Sequence, residues 1–200
     1  MIDLTCTPIR TFIAIDLPAC LHAALHKTMR LIDQQNIPRL RPIKRGSAHI
    51  TIKFLGEFES NHIPSLVEAI QDNVLGMQAF TISINNLRLH PNSSDPRFAF
   101  FEIAHSKELG ELKLVVDEAC RKFGVKNDSL SWFPHITIAR IPRSKTRSER
   151  RYIGERLKTI PAFCKTMTVS QFSIMSSDLG RSGPTYNTLE RIQLSPKTIK

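Results

Sequence analysis

Apolar and polar residues alternate in two short stretches that are near copies of one another. They are His49-Ile50-Thr51-Ile52-Lys53-Phe54-Leu55-Gly56 and His135-Ile136-Thr137-Ile138-Ala139-Arg140. In a β-strand successive side chains point to opposite faces, so each copy puts its His and Thr together and turns its isoleucines toward a core. The same rule puts Phe54 with Ile50 and Ile52, and Arg140 opposite His135. Residues 10–16 are apolar on both faces, as in a strand at the middle of a sheet. Phe80–His90 and residues 97–104 alternate on either side of Pro91-Asn92-Ser93-Ser94-Asp95-Pro96 and read as a hairpin.

Helical spacing fills the intervals. Leu21, Leu25, Met29 and Ile32 form one stripe after Pro18, and Ile63, Leu66, Val67, Ile70 and Val74 form another between Ser60 and Gly76. Ser106 is placed to cap a third helix that carries Leu109, Leu112, Val116, Ala119, Cys120 and Phe123 and stops at Gly124. Residues 144–158 predict a short, strongly basic helix. Residues 34–47 predict a loop with room for a short strand, residues 165–176 and 185–194 two further strands across a turn at Gly180 to Gly183, and residues 196–200 a frayed tail. Strands and helices do not alternate strictly, and several strands are joined by hairpin-length turns. The fold class expected is α+β with largely antiparallel sheets. The two histidine stretches lie 86 residues apart, a little under half the chain. Two similar lobes facing each other across a cleft would bring their His-Thr faces together.

Composition narrows the setting. With 41% hydrophobic and 23% charged residues among 200, the chain reads as soluble and globular, with core enough for one domain. No run approaches the roughly 18 apolar residues of a membrane span, and residues 1–8 lack the pattern of a signal peptide. Cys6, Cys20, Cys120 and Cys164 are widely spaced, so reduced thiols in a cytoplasmic protein are expected. The net charge of +10 favours a polyanionic partner, nucleic acid above all. Arg39, Arg41, Lys44 and Arg45 precede the first stretch, and Arg140, Arg143, Lys145, Arg147, Arg150 and Arg151 close the second or follow it.

Two histidines facing one cleft suit phosphoryl chemistry without metal. An imidazole is available near pH 7 in either protonation state, so one can accept a proton while the other gives one. Thr51 and Thr137 are placed to donate hydrogen bonds to phosphate oxygens, and Arg140 to add a cationic contact. Arg140 stands at odd spacing from His135, so a strand end, twist or bulge must turn it toward the site. His22 and His26 sit at i and i+4 with no third His nearby and read as a solvated helix face. His62, His90 and His105 read as surface or edge residues. Asp16 and Glu102 are possible partners for a histidine.

The paired motifs resemble those of the two-histidine phosphoesterases, specifically the RNA 2′,3′-cyclic phosphodiesterases once named 2′-5′ RNA ligases. Residues 10–15 look like that family's opening strand, 49–57 its first motif block, 133–140 its second, and Gly183-Pro184-Thr185-Tyr186 through Leu189 its closing segment. The resemblance implies one two-lobed domain over residues 1–200, with pseudo-symmetric sheets facing a central cleft and helices outside. It implies metal-independent hydrolysis of a terminal RNA 2′,3′-cyclic phosphate to the 2′-phosphate, with no cofactor, by a monomer. By position, His49 matches the family's proton donor to the leaving 3′ oxygen, His135 its base toward water, and Thr51, Thr137 and Arg140 its phosphate-binding positions. The first copy has Phe54 where the second has Arg140, and the stretch between Leu87 and Phe98 has fewer glycines than the family's usual pattern. Two other readings stay open on the residues alone. One is a non-catalytic RNA-binding module. The other is the same chemistry on small cyclic nucleotides or 2′-5′ oligonucleotides.

Overall fold

The computed structural model describes residues 7–34, 40–44, 46–126, 132–161, 164–180 and 183–197, with Arg41 in its backbone alone. Expectations for Cys6, Arg39, Arg45, the Arg41 side chain, positions 181–182 of the turn and 198–200 of the tail lie outside the described residues. The elements are β1 (Pro8–Asp16), α1 (Ala19–Gln34), β2 (Arg41–Pro42), β3 (His49–Glu59), α2 (Ile63–Asn73), β4 (Phe80–His90), β5 (Phe98–Ile103), α3 (Lys107–Arg121), β6 (His135–Arg140), α4 (Arg147–Lys158), β7 (Lys165–Val169), β8 (Gln171–Gly180) and β9 (Gly183–Gln193). A 3-10 turn at Ser60–His62 leads into α2. No helix among the described residues is long and apolar enough to cross a membrane.

The strands form two sheets, ordered β3-β1-β8-β9 and β2-β6-β5-β4-β7. Every pairing within them is antiparallel. The two sheets correspond position by position. Each motif strand (β3, β6) lies beside a buried strand (β1, β5), which lies beside a third (β8, β4). The offset of 86 residues that relates His49 to His135 also relates Phe12 to Phe98, Asp16 to Glu102 and Phe54 to Arg140.

β1 is central, and Thr11 to Ile15 are all buried, as a strand apolar on both faces requires. Its faces do different work. Ile13 and Ile15 join one large apolar cluster with Leu25 and Ile32 of α1, Leu66 and Ile70 of α2, Leu112 and Val116 of α3, and Leu157 of α4. Ile50, Ile52, Ile136 and Ile138 belong to the same cluster, so one core underlies both sheets. Phe12 and Ala14 point the other way, into a small cluster with Met175 and Tyr186. The core and helices therefore lie behind the sheets and leave the His-Thr faces free.

One expected element was divided. Residues 165–176 are two strands, not one: β7 pairs with β4 in one sheet and β8 with β1 in the other. Ser170 is the crossing point, and its carbonyl accepts from the Leu194 amide at 2.8 Å. Periodicity could not reveal this, because the pattern stays strand-like on both sides of the crossing.

The basic helix α4 is fixed in place by its N-terminus and one glycine. Thr146 and Glu149 form a capping box, satisfying donors that a helix start leaves open. Buried Arg150 donates to Asp95 and to the Lys145 carbonyl, tying α4 to the β4–β5 connection. Gly154 lets the two touch: a Cβ there would run into the Ser93 carbonyl. Gly154→Ala is expected to lower stability by about 1–3 kcal/mol, the usual cost of overpacking against backbone, read by urea denaturation. An unchanged midpoint would show that the contact yields freely.

Candidate functional site

Each motif strand carries an irregularity in the same place. Opposite β1, the register passes from Ala14–Thr51 to Ile13–Lys53 and skips Ile52. Opposite β5 it passes from Phe100–Thr137 to Ala99–Ala139 and skips Ile138. A β-bulge sets two residues against one and shifts the alternation by one place. Ile52 and Lys53 are thus both buried, as are Ile138 and Ala139, and the next residue returns to the His face. That residue is Phe54 in one copy and Arg140 in the other, and both line the same cleft as the histidines. The bulge supplies the turn that Arg140 required. It also corrects the placement of Phe54, which is 61% exposed in the cleft and not on the core face. Gly56, at φ +76°, follows a second register shift at Leu55 and lets β3 continue to Glu59.

The cleft has a volume of about 870 Å³, and His49, Thr51, His135, Thr137 and Arg140 all line it. All five predicted site residues are therefore brought together. The two imidazoles are held alike. His49 Nδ1–H donates to the Ser47 carbonyl at 2.9 Å, and His135 Nδ1–H to the Phe133 carbonyl at 3.0 Å. A carbonyl can only accept, so this contact puts the proton on Nδ1 and leaves the lone pair of a neutral ring on Nε2. Both rings have pKa values lowered from 6.5, first because burial disfavours the cation. Their other neighbours differ. His49 feels the Asp16 carboxylate, which favours its proton, against His135 and Arg140, which oppose it. Around His135 the charged or protonatable neighbours are His90 and Arg140, and both oppose its proton.

Asp16 lies opposite His49 in the β1–β3 register and accepts from the Ser173 hydroxyl. Glu102 lies opposite His135 in the β5–β6 register but pairs with Arg88 at 3.5 Å. The sequence suggested both acids as partners; Asp16 is the one whose charge bears on its histidine.

Aromatic rings, which periodicity did not mark, surround both imidazoles. Phe12 and Tyr186 lie 4.9 and 5.0 Å from His49, ring centre to ring centre. Phe133 stacks on His135 at 4.6 Å, with Phe98 at 5.5 Å and Phe100 at 5.4 Å. His90 is exposed as expected, yet it stacks on Phe98 at 4.8 Å and so belongs to this shell. Trp132, ahead of the second motif, donates from Nε1 to the Thr51 carbonyl of the first at 3.1 Å. That bond crosses the seam between the sheets. The Trp132-Phe133-Pro134 run before His135 was the only signal of it.

The arrangement has counterparts. The profile of the 2′-5′ RNA ligase superfamily matches residues 19–181. An RNA 2′,3′-cyclic phosphodiesterase of Methanothermobacter thermautotrophicus is 23% identical over 93% of this chain and 99% of its own. One from Thermus thermophilus is 26% identical over 92% of this chain and 90% of its own. Among solved structures, a protein of Thermus thermophilus superposes with a TM-score of 0.76 at 20% identity, covering 95% of this chain and 100% of that one. E. coli LigT in its apo form gives 0.71 at 22% identity over 94% and 99%, and LigT has also been crystallised with phosphate and with 3′-AMP. The matched profile spans most of the length and both motif strands, and the chain belongs to the 2′-5′ RNA ligase superfamily.

Proposed function

We propose that this protein hydrolyses the terminal 2′,3′-cyclic phosphate of RNA to a 2′-phosphate, as one two-lobed domain and without a metal ion. The observation that carries the reading is the matched pair of imidazoles, held in one tautomer by equivalent carbonyls with both rings lining one cleft. Relatives named RNA 2′,3′-cyclic phosphodiesterase support the choice of reaction.

In the reaction, water attacks phosphorus as His135 Nε2 takes its proton, and the bond from phosphorus to O3′ breaks as His49 Nε2–H protonates that oxygen. The products are a 3′-hydroxyl and a 2′-phosphate. Thr51 and Thr137 donate to the non-bridging oxygens, and Arg140 offsets the charge that develops on them. The charge surroundings support this division of roles: Arg140 opposes a proton on either ring, but the carboxylate of Asp16 helps His49 hold one, whereas His90 helps His135 stay neutral. The anionic substrate supplies the remaining charge that keeps His49 protonated when the cleft is filled.

Positioned acid–base groups contribute about 10²–10⁴ in rate. His49→Ala and His135→Ala are each expected to lower kcat by that factor on cyclic-phosphate-ended RNA, with full wild-type activity in EDTA. Either variant retaining wild-type kcat would overturn the two-histidine mechanism, and loss of wild-type activity in EDTA would overturn metal independence.

The lowered pKa values fix the sign of the pH dependence. In the free protein both rings are mainly neutral at pH 7, and the productive state with one proton shared between them grows as pH falls below 6.5. It declines again once the second ring protonates. The profile of kcat/KM is expected to be a bell centred on the acid side of pH 6.5. A maximum above about pH 7.5 would contradict the assignment.

A further inference from the structure

The cleft does not end at the histidines. Past Arg140 it opens into a groove of about 1270 Å³ framed by the β2 segment, the start of β5, the β6–α4 connection and the start of β9. That volume exceeds the roughly 300–1,000 Å³ that holds a small-molecule ligand. Ile43 and Ile141 line it as apolar floor, and Lys44, Arg97 and Arg143 are exposed along it. No carboxylate among the described residues lines it. Arg97 lies 3.6 Å from Asp95, but that carboxylate also takes the charge of buried Arg150, so the three together keep a net positive charge. The other end of the cleft differs: Arg10 stands there opposite Glu57 in the sheet register, and the pair adds no net charge.

An apolar floor with a cationic rim on one side only matches single-stranded nucleic acid, with bases on the floor and phosphates on the rim. Resting on the cyclic phosphodiesterase reading, we propose that this groove binds the nucleotides upstream of the reacting end. Arg97 and Arg143 take their phosphates, and Arg140 marks the junction with the reacting phosphate. The substrate is then an oligonucleotide, and a nucleoside 2′,3′-cyclic monophosphate, which cannot reach the rim, is a poor one.

The test has two arms, each comparing wild type with the Arg97→Ala/Arg143→Ala double variant. Fluorescence anisotropy measures binding of a labelled oligoribonucleotide ending in 2′-phosphate, across a salt series. Charge-assisted contacts predict a loss of roughly tenfold or more in affinity. The slope of log affinity against log salt should also shrink by about 0.7 for each phosphate contact removed. Unchanged affinity and slope would overturn the groove assignment. The second arm is the ratio of kcat/KM for a cyclic-phosphate-ended oligonucleotide to that for the nucleoside cyclic monophosphate. It should be well above one in wild type and fall toward one in the variant. Equal turnover of both by wild type would sink the groove and leave the hydrolysis reading intact. No turnover of either would sink that reading, while the anisotropy still decides the groove. Should the double variant fail to fold, Arg143→Glu alone, at an exposed position, carries both comparisons.

Discussion

The site depends on one backbone irregularity, used twice. A regular strand cannot bury a face of isoleucines, show a His and a Thr, and then show the fifth residue on as well, because alternation sends that residue to the core. Skipping Ile52 in β3 and Ile138 in β6 removes the conflict. Both buried faces stay continuous, and Phe54 and Arg140 arrive beside their histidines. The rest follows from the two sheets meeting at these strands. The core and helices lie behind, and the seam is bridged by the bond from Trp132 to the Thr51 carbonyl.

What the bulge brings out on one side it also changes on the other. The residue after Ile138 is Ala139, a small apolar group in the core. The residue after Ile52 is Lys53, fully buried and 3.1 Å from Asp117 of α3, which also pairs with Lys113. Burying charge is costly unless it is paired, so a cluster like this stabilises little but fixes which groups must meet. Here it joins α3 to β3. The two halves thus share a geometry but not an electrostatic setting. Arg140 bears on both histidines, but Asp16 faces only His49 and His90 only His135.

Much of this was legible in the sequence for a physical reason. Period-two alternation and helical stripes report which face is buried, and both motif strands and the first three helices follow from them. The repeated His-x-Thr also marks four candidate site residues without structure, and Arg140 closes the second copy. Three things were not legible. Bulges leave no mark on the pattern where the extra buried residue is a lysine, because Lys53 reads as the polar member of the alternation, and that places Phe54 on the wrong face. A strand that changes sheets at Ser170 looks like one strand. The ring shell of Phe12, Phe98, Phe100, Phe133 and Tyr186 is scattered along the chain, and only folding brings it together.

The central claim is that two neutral-leaning imidazoles divide one hydrolysis between an attacking water and a departing 3′ oxygen. Phosphorus NMR of cyclic-phosphate-ended RNA, followed as the protein consumes it, tests that claim most directly. The account predicts that the cyclic diester signal is replaced by that of a 2′-phosphomonoester alone. Appearance of the 3′-phosphate would contradict the leaving-group assignment, and persistence of the cyclic signal would contradict the function itself.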